Sequence, residues 1–186
     1  MANRILGDYK EACSYSNMPL VPPSTKWRPP PSGFIKINVD GVASNDGRPS
    51  SIGVIIRDNQ GSSIAASSRV LPSPFPAKIT KVLALQEGVL LASKMGLANI
   101  IFESNALSII QEINKISVGG EFGHIIQNIR GLSSSFSWCL FQHLKWDGNR
   151  VAHELEKAAR NSSVSQVWRG VIPSFVEHFI LEDHGL

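Results

Sequence analysis

The chain has little cysteine, no long apolar run and no strong charge of either sign. Its two cysteines, Cys13 and Cys139, lie 126 positions apart in 186 residues. That separation fits neither a metal-ligand spacing nor a redox pair, so two unrelated free thiols are expected. No uninterrupted apolar stretch approaches the ~18 residues a membrane span needs, and "MANRILGDYKEACSYS" contains no apolar segment of signal-peptide length. No membrane partner is expected, and the location expected is intracellular, nucleus or cytoplasm. Eighteen basic against 15 acidic residues leave a net charge of +3, which is compatible with a nucleic-acid partner without demanding one. With 42% hydrophobic content the chain can bury one substantial core, so one globular domain with tails is expected.

Proline is concentrated at one place. "MPLVPPSTKWRPPPSG" holds six of the eleven prolines, and residues 1–32 are expected to be an extended tether. After it, "FIKINVDG" alternates strictly, with Ile35, Ile37 and Val39 on one face and Lys36, Asn38 and Asp40 on the other. "NDGRPS" reads as a turn, "SIGVIIRD" and "SSIAASSRV" as two more strands around the tight turn "NQG". "ITKVLALQEGVLLASKM" reads as a long helix stopped by Gly96, "LANIIFES" as a buried fourth strand, and "NALSIIQEINK" as a helix with Asn105 as its N-cap. "FGHIIQNIRGLSSS" reads as a further helix, "FSWCLFQHLKW" as a fifth strand, and "NRVAHELEKAARNS" as an amphipathic helix with Val151 and Leu155 inward. Residues 33–163 form the expected domain. Residues 164–186, apolar and interrupted by Pro173, are expected to pack on it or on a partner.

One residue in the long helix is out of place. Drawn at about 100° per residue, Gln86, Glu87, Ser93 and Lys94 share one side, whereas Lys81 lies opposite, among Ala84, Leu85, Gly88 and Ala92. It could be a lysine snorkelling from an apolar face. The order of elements suggests something more specific.

The stretches "WRPPPSGFIKINVDG", "GVIIRDNQG", "LALQEGVLLA", "IIFESNAL" and "NRVAHELEKAA", in that order over residues 27–161, resemble the ribonuclease H superfamily. They are most similar to the plant RNase H-like domains related to non-LTR retrotransposon reverse transcriptases. The resemblance implies an α/β fold of ribonuclease H type: a five-stranded mixed sheet, three antiparallel strands and then two parallel ones, flanked by helices. It also implies chemistry. Active members cut the RNA strand of an RNA–DNA hybrid with two divalent ions held by four carboxylates, because hard Mg²⁺ takes oxygen ligands and two ions stabilise both the attacking and the leaving oxygen.

Carried over residue by residue, the motif gives Asp40 as the one retained carboxylate and metal ligand. Lys81 stands where the helix glutamate belongs, Asn105 where the strand-end aspartate belongs, and His153 at the last position. A Lys81–Asp40 pair is therefore expected in place of a bound cation. At an effective dielectric near 20, unit charges ~4 Å apart interact by about 4 kcal/mol before desolvation. Glu87, about 240° round the helix from Lys81, cannot substitute. Glu103, two residues before Asn105 on the same strand face, is the candidate rescue ligand. Simpler roles stand beside these: a turn-capping Asp40, a capping Asn105, an ordinary half-buried His153. Glu154–Lys157 and Glu156–Arg160 are expected to be solvated surface pairs. Arg48, Arg57, Arg69, Lys78, Lys94, Lys145 and Arg150 could gather as a phosphate-binding patch near Asp40.

The resemblance thus points to a nucleic-acid-binding domain that has lost catalysis, a pseudoenzyme of retrotransposon origin with no cofactor or only weakly held Mg²⁺ or Mn²⁺, and with RNA, DNA or an RNA–DNA hybrid as partner. The alternatives are an active hybrid ribonuclease with an altered metal site, and a protein-interaction or homodimerisation module using residues 164–186.

Overall fold

The alternation in "FIKINVDG" becomes β1 (Ile35–Val42), and the next two β-rich runs become β2 (Ser51–Arg57) and β3 (Ser63–Val70). The computed structural model describes residues 25–44, 48–116 and 119–183. Cys13, the tether up to residue 24 and the first residues of the "NDGRPS" turn lie outside the described residues. β1 pairs antiparallel with β2, and β2 with β3. On its other side β1 pairs in parallel with β4 (Asn99–Ser104), which pairs in parallel with β5 (Trp138–His143). Between and after these strands come α1 (Ala77–Lys94), α2 (Leu107–Asn114), α3 (Gly123–Ser133) and α4 (Arg150–Ser162). No helix is long and apolar enough to cross a membrane among the described residues.

The sheet has six strands, one more than expected, in the order β5-β4-β1-β2-β3-β6. β6 (Gln166–Arg169) runs antiparallel along β3, from Ala65↔Arg169 to Ser68↔Gln166. Four residues without an in–out alternation carry too little pattern to be read as a strand; the unpaired edge of β3 makes them one. α5 (Ser174–Asp183) follows and buries Val176 and Ile180 against Ile55, Ala66, Val151 and Leu155.

Two layers of side chains enclose the sheet. On one face α1–α3 cover Ile37, Val39, Val54, Ile56, Ile100 and Phe102. α1 comes close because residue 88 is glycine: a Cβ there would stand 2.8 Å from Val39 Cγ1. On the other face α4 crosses β1–β3. At Gly53 the approach is tighter still, since a Cβ would stand 2.2 Å from the Ala152 carbonyl oxygen and 2.5 Å from the Glu156 amide nitrogen. α4 therefore rests on the backbone of β2, which brings His153 and Glu156 down to the end of β1.

The polar face of β1 is buried as well. Lys36, Asn38 and Asp40 are all under 7% exposed, and the N-terminal segment supplies part of the cover. Trp27, in the stretch expected to be tether, is 2% exposed, with its ring centroid 3.5 Å from the Arg57 guanidinium carbon. Arg57 donates to Asp183 Oδ2 (2.6 Å) and Asn38 Oδ1 (3.0 Å). Asn38 in turn donates to Glu103 Oε2 at 2.8 Å. Gln142 and Lys36 complete the carboxylate of Glu103 at 2.6 and 3.0 Å. A buried charge persists where donors and counter-charges satisfy it, and here two cations face two anions across β1, β2, β4 and α5.

Candidate active site

Asp40 lies near the end of β1, 3% exposed, with its Oδ1 accepting from the Gly41 amide at 2.8 Å. The Lys81 ammonium, from the first turns of α1, also donates to Oδ1 and reaches Asn105 Oδ1 at 3.0 Å. On the other side His153 Nδ1 stands 3.2 Å from Asp40 Oδ2 and 3.1 Å from Glu156 Oε1. The structure thus brings Asp40, Lys81, Asn105 and His153 to one place, from four separate elements. Lys81 can do this because its side chain, a quarter exposed, leaves the apolar face of α1 towards the strand end.

Asn105 is not the cap expected of it. Ala106 holds the N-cap position of α2 without a side-chain hydrogen bond, the Ala106 amide donates to Ser104 Oγ, and the Asn105 side-chain oxygen Oδ1 accepts from Lys81. Glu103 does not join the group either. It sits opposite Asn38 in the parallel register, one pleat before Asp40, and both its oxygens are engaged by Asn38, Gln142 and Lys36. The side chains of residues 38 and 40 share a face but are two residues apart along the strand, and Glu103 follows the nearer one. Glu87 points away and pairs with Arg69.

Glu156 is the residue sequence reasoning misplaced. It is 2% exposed rather than solvated, and accepts from Ser51 Oγ at 3.1 Å as well as facing His153. The available signal was the i, i+3 spacing from His153 together with the i+4 spacing from Ala152, which puts it on the buried stripe of α4. Of the basic residues considered for a phosphate-binding patch, Arg57 pairs with Asp183, Arg69 with Glu87, and Arg150 with Glu182, while Arg48 donates to Asn161. Lys78, Lys94 and Lys145 remain exposed.

The electrostatics follow from these contacts. Burial pushes the Asp40 carboxyl up, but His153, Lys81 and the Gly41 amide outweigh it and hold the group below its usual range. Hydrogen bonding to Asp40 and then Glu156 raises His153 to about 9, against the opposing effect of burial. His153 is thus cationic at neutral pH, and two positive groups face two negative ones. A folded-state pKa above the unfolded value near 6.5 means that the stabilisation is complete below pH 6.5 and is lost as pH rises through about 9. Wild-type stability in denaturant should fall by ~1–2 kcal/mol between pH 6 and 9.5, after discounting for solvent at this partly exposed ring. His153→Gln should flatten that dependence, and an unchanged slope would show that the ring is not held by the carboxylates.

Asp40, His153 and Glu156 each offer one ligand atom, all within 4.8 Å of one another. One imidazole and two carboxylates suit a single borderline ion such as Mn²⁺ better than Mg²⁺, and only once His153 Nδ1 has lost its proton.

Comparison with known proteins agrees with the fold. The family model described as reverse transcriptase-like matches residues 38–159. No curated protein sequence matches the chain. Similar solved structures include RNase H1 from the archaeon Halobacterium salinarum, at 15% identity and TM-score 0.64, covering 69% of this chain and 98% of that one. LC11-RNase H1, isolated from compost and solved in complex with an RNA/DNA hybrid, has 22% identity and TM-score 0.62 with the same coverage. The N-terminal RNase H domain of a Mycobacterium tuberculosis protein has 14% identity and TM-score 0.63, over 70% of this chain and 95% of that one. At these identities the likeness is one of fold, a fold of ribonuclease H type, and the family match carries the assignment: the chain belongs to the reverse transcriptase-like family.

Proposed function

We propose that this domain binds nucleic acid at the Asp40 edge and does not hydrolyse it. The observation that carries this is the occupation of Asp40: Lys81 donates to one of its oxygens and His153 faces the other. A pair of Mg²⁺ ions needs carboxylate oxygens free to bridge them. Here the ammonium stands against the one retained carboxylate, repels a cation by a Coulomb effect of the same order as its attraction to Asp40, and also engages Asn105. These residues do not fit a two-magnesium centre. They do suit a phosphate, since Lys81 and a cationic His153 neutralise Asp40 and Glu156 and leave no carboxylate cluster to repel a polyanion.

A hybrid-cleavage assay in Mg²⁺ and in Mn²⁺, run beside a binding isotherm on the same preparation, tests this. The expected result is no cleavage in either metal and an affinity that falls linearly with salt on logarithmic axes. Cleavage abolished by Asp40→Asn would establish instead an active ribonuclease with an altered metal site, for which Asp40, His153 and Glu156 are the candidate ligands. A third outcome has its own support in the exposed Val164, Val167 and Val171 around β6. Absence of binding at low salt, with a dimer in sedimentation, would favour an interaction module.

A further inference from the structure

Trp146 opens the short 3₁₀ turn (Trp146–Asn149) that leads into α4, and it is 52% exposed. The chain has four tryptophans; Trp27 is buried, Trp138 and Trp168 are half-buried, and Trp146 alone is exposed. Aromatic side chains bury roughly 150–250 Å² each, so an indole left half in solvent beside the polar cluster leaves much of that apolar surface uncovered. Its position is fixed by the turn. Asn149 donates its side-chain amide to the Val39 carbonyl at 3.0 Å, tying the turn to β1 just before Asp40.

The ring belongs to the same row of side chains as the site. Lys81 contacts Asp40, Asp40 Oδ2 lies 3.2 Å from His153 Nδ1, and the His153 ring is 5.7 Å from the indole centroid at an interplanar angle of 64°. In an edge contact of this kind at least one face of the indole is not taken up by the imidazole. Lys145, next in sequence, is exposed. Lys81, which donates to Asp40 and Asn105, ends this row of side chains, and a cation in the same row as a flat apolar surface is the combination that holds a backbone phosphate and the base beside it. Asp147, the exposed acid on the same turn, disfavours a second phosphate there and favours a base.

We propose that Trp146 is a base-stacking platform, so that this edge selects strands with unpaired bases, single-stranded RNA or DNA, over a continuous duplex. In a duplex both faces of each internal base are covered by its neighbours, and an indole on the outside meets only sugar and phosphate. An unpaired base offers a π-face whatever its identity. This rests on the nucleic-acid-binding function proposed above and names the form of ligand that the same site takes.

The test uses the whole chain with three probes of about 12 nucleotides, within the range of known single-strand sites: a single-stranded RNA, a DNA of the same sequence, and the RNA–DNA hybrid formed from that RNA. Trp146→Ala should weaken both single strands by about 5- to 150-fold and leave the hybrid within twofold. Trp146→Phe should retain most of the affinity, and thermal melts of both variants should match wild type. Single-strand binding should also quench tryptophan fluorescence in wild type and not in Trp146→Phe. Unchanged single-strand affinity in Trp146→Ala, an equal loss on the hybrid, or a quench that persists in Trp146→Phe would overturn the platform while leaving nucleic-acid binding intact. If wild type binds none of the probes, both proposals fall together.

Discussion

Arg57→Met should destabilise the fold by about 3–5 kcal/mol, the cost of breaking a buried charge network from one side. The guanidinium is fully buried; burial pulls its pKa down, and the Asp183 carboxylate opposes that pull. Removing it takes a charged donor from Asp183 Oδ2 and from Asn38 Oδ1 and leaves the carboxylate of Glu103 with less positive charge nearby. It also strips the Trp27 ring of its stacking partner. Because Trp27 precedes β1 and Asp183 ends α5, the same side chain braces the beginning and the end of the described fold. Chemical denaturation of wild type and variant measures the difference. The double variant Arg57→Met/Asp183→Leu should recover part of the loss, since replacing both charges also removes the carboxylate that has lost the buried guanidinium facing it. A single variant within ~1 kcal/mol of wild type would mean that the network contributes packing and little else.

Lys81→Glu should reverse the electrostatics of the Asp40 site. Without divalent ions the attraction to Asp40 becomes a repulsion, and each is of order 4 kcal/mol at ~4 Å and a dielectric near 20 before solvent screening. A marked drop in melting temperature is expected. Adding Mn²⁺ should then raise the melting temperature of the variant and not that of wild type. At a concentration 100 times the dissociation constant, ligation contributes ~2.7 kcal/mol, or about 5–11 °C for a chain of this size. Equal Mn²⁺ shifts in the two proteins would refute the idea that the ammonium occupies the place of a cation.

The contrast between Asp40 and Glu156 shows how far the sequence could be read. Asp40 was legible because it ends an alternating run, and Lys81 because it breaks the polar–apolar division of its helix; both are local irregularities. Glu156 was not. On α4 the stripe of buried positions is wide enough to take in Ala152, Leu155, Glu156 and Ala159, and a charged residue inside that stripe looks like a surface residue until Ser51 and His153 are seen beside it. Glu103 failed in the opposite direction. Its strand face was read correctly, yet the parallel register with β1 sets it against Asn38, a pleat short of Asp40. Trp27 was hidden by its prolines, whose composition signals extended chain and says nothing of what an extended chain lies upon.

The sequence by itself determined the succession of strands and helices and the faces that seek a core, because periodicity and turn chemistry are properties of neighbouring residues. Only the tertiary structure decided which buried charges meet: Lys81 and His153 with Asp40, Glu103 with Lys36 and Asn38, Arg57 with Asp183. Those partnerships depend on strand register and on the closeness of a helix to the sheet at Gly53 and Gly88, and an error of one pleat exchanges one partner for another.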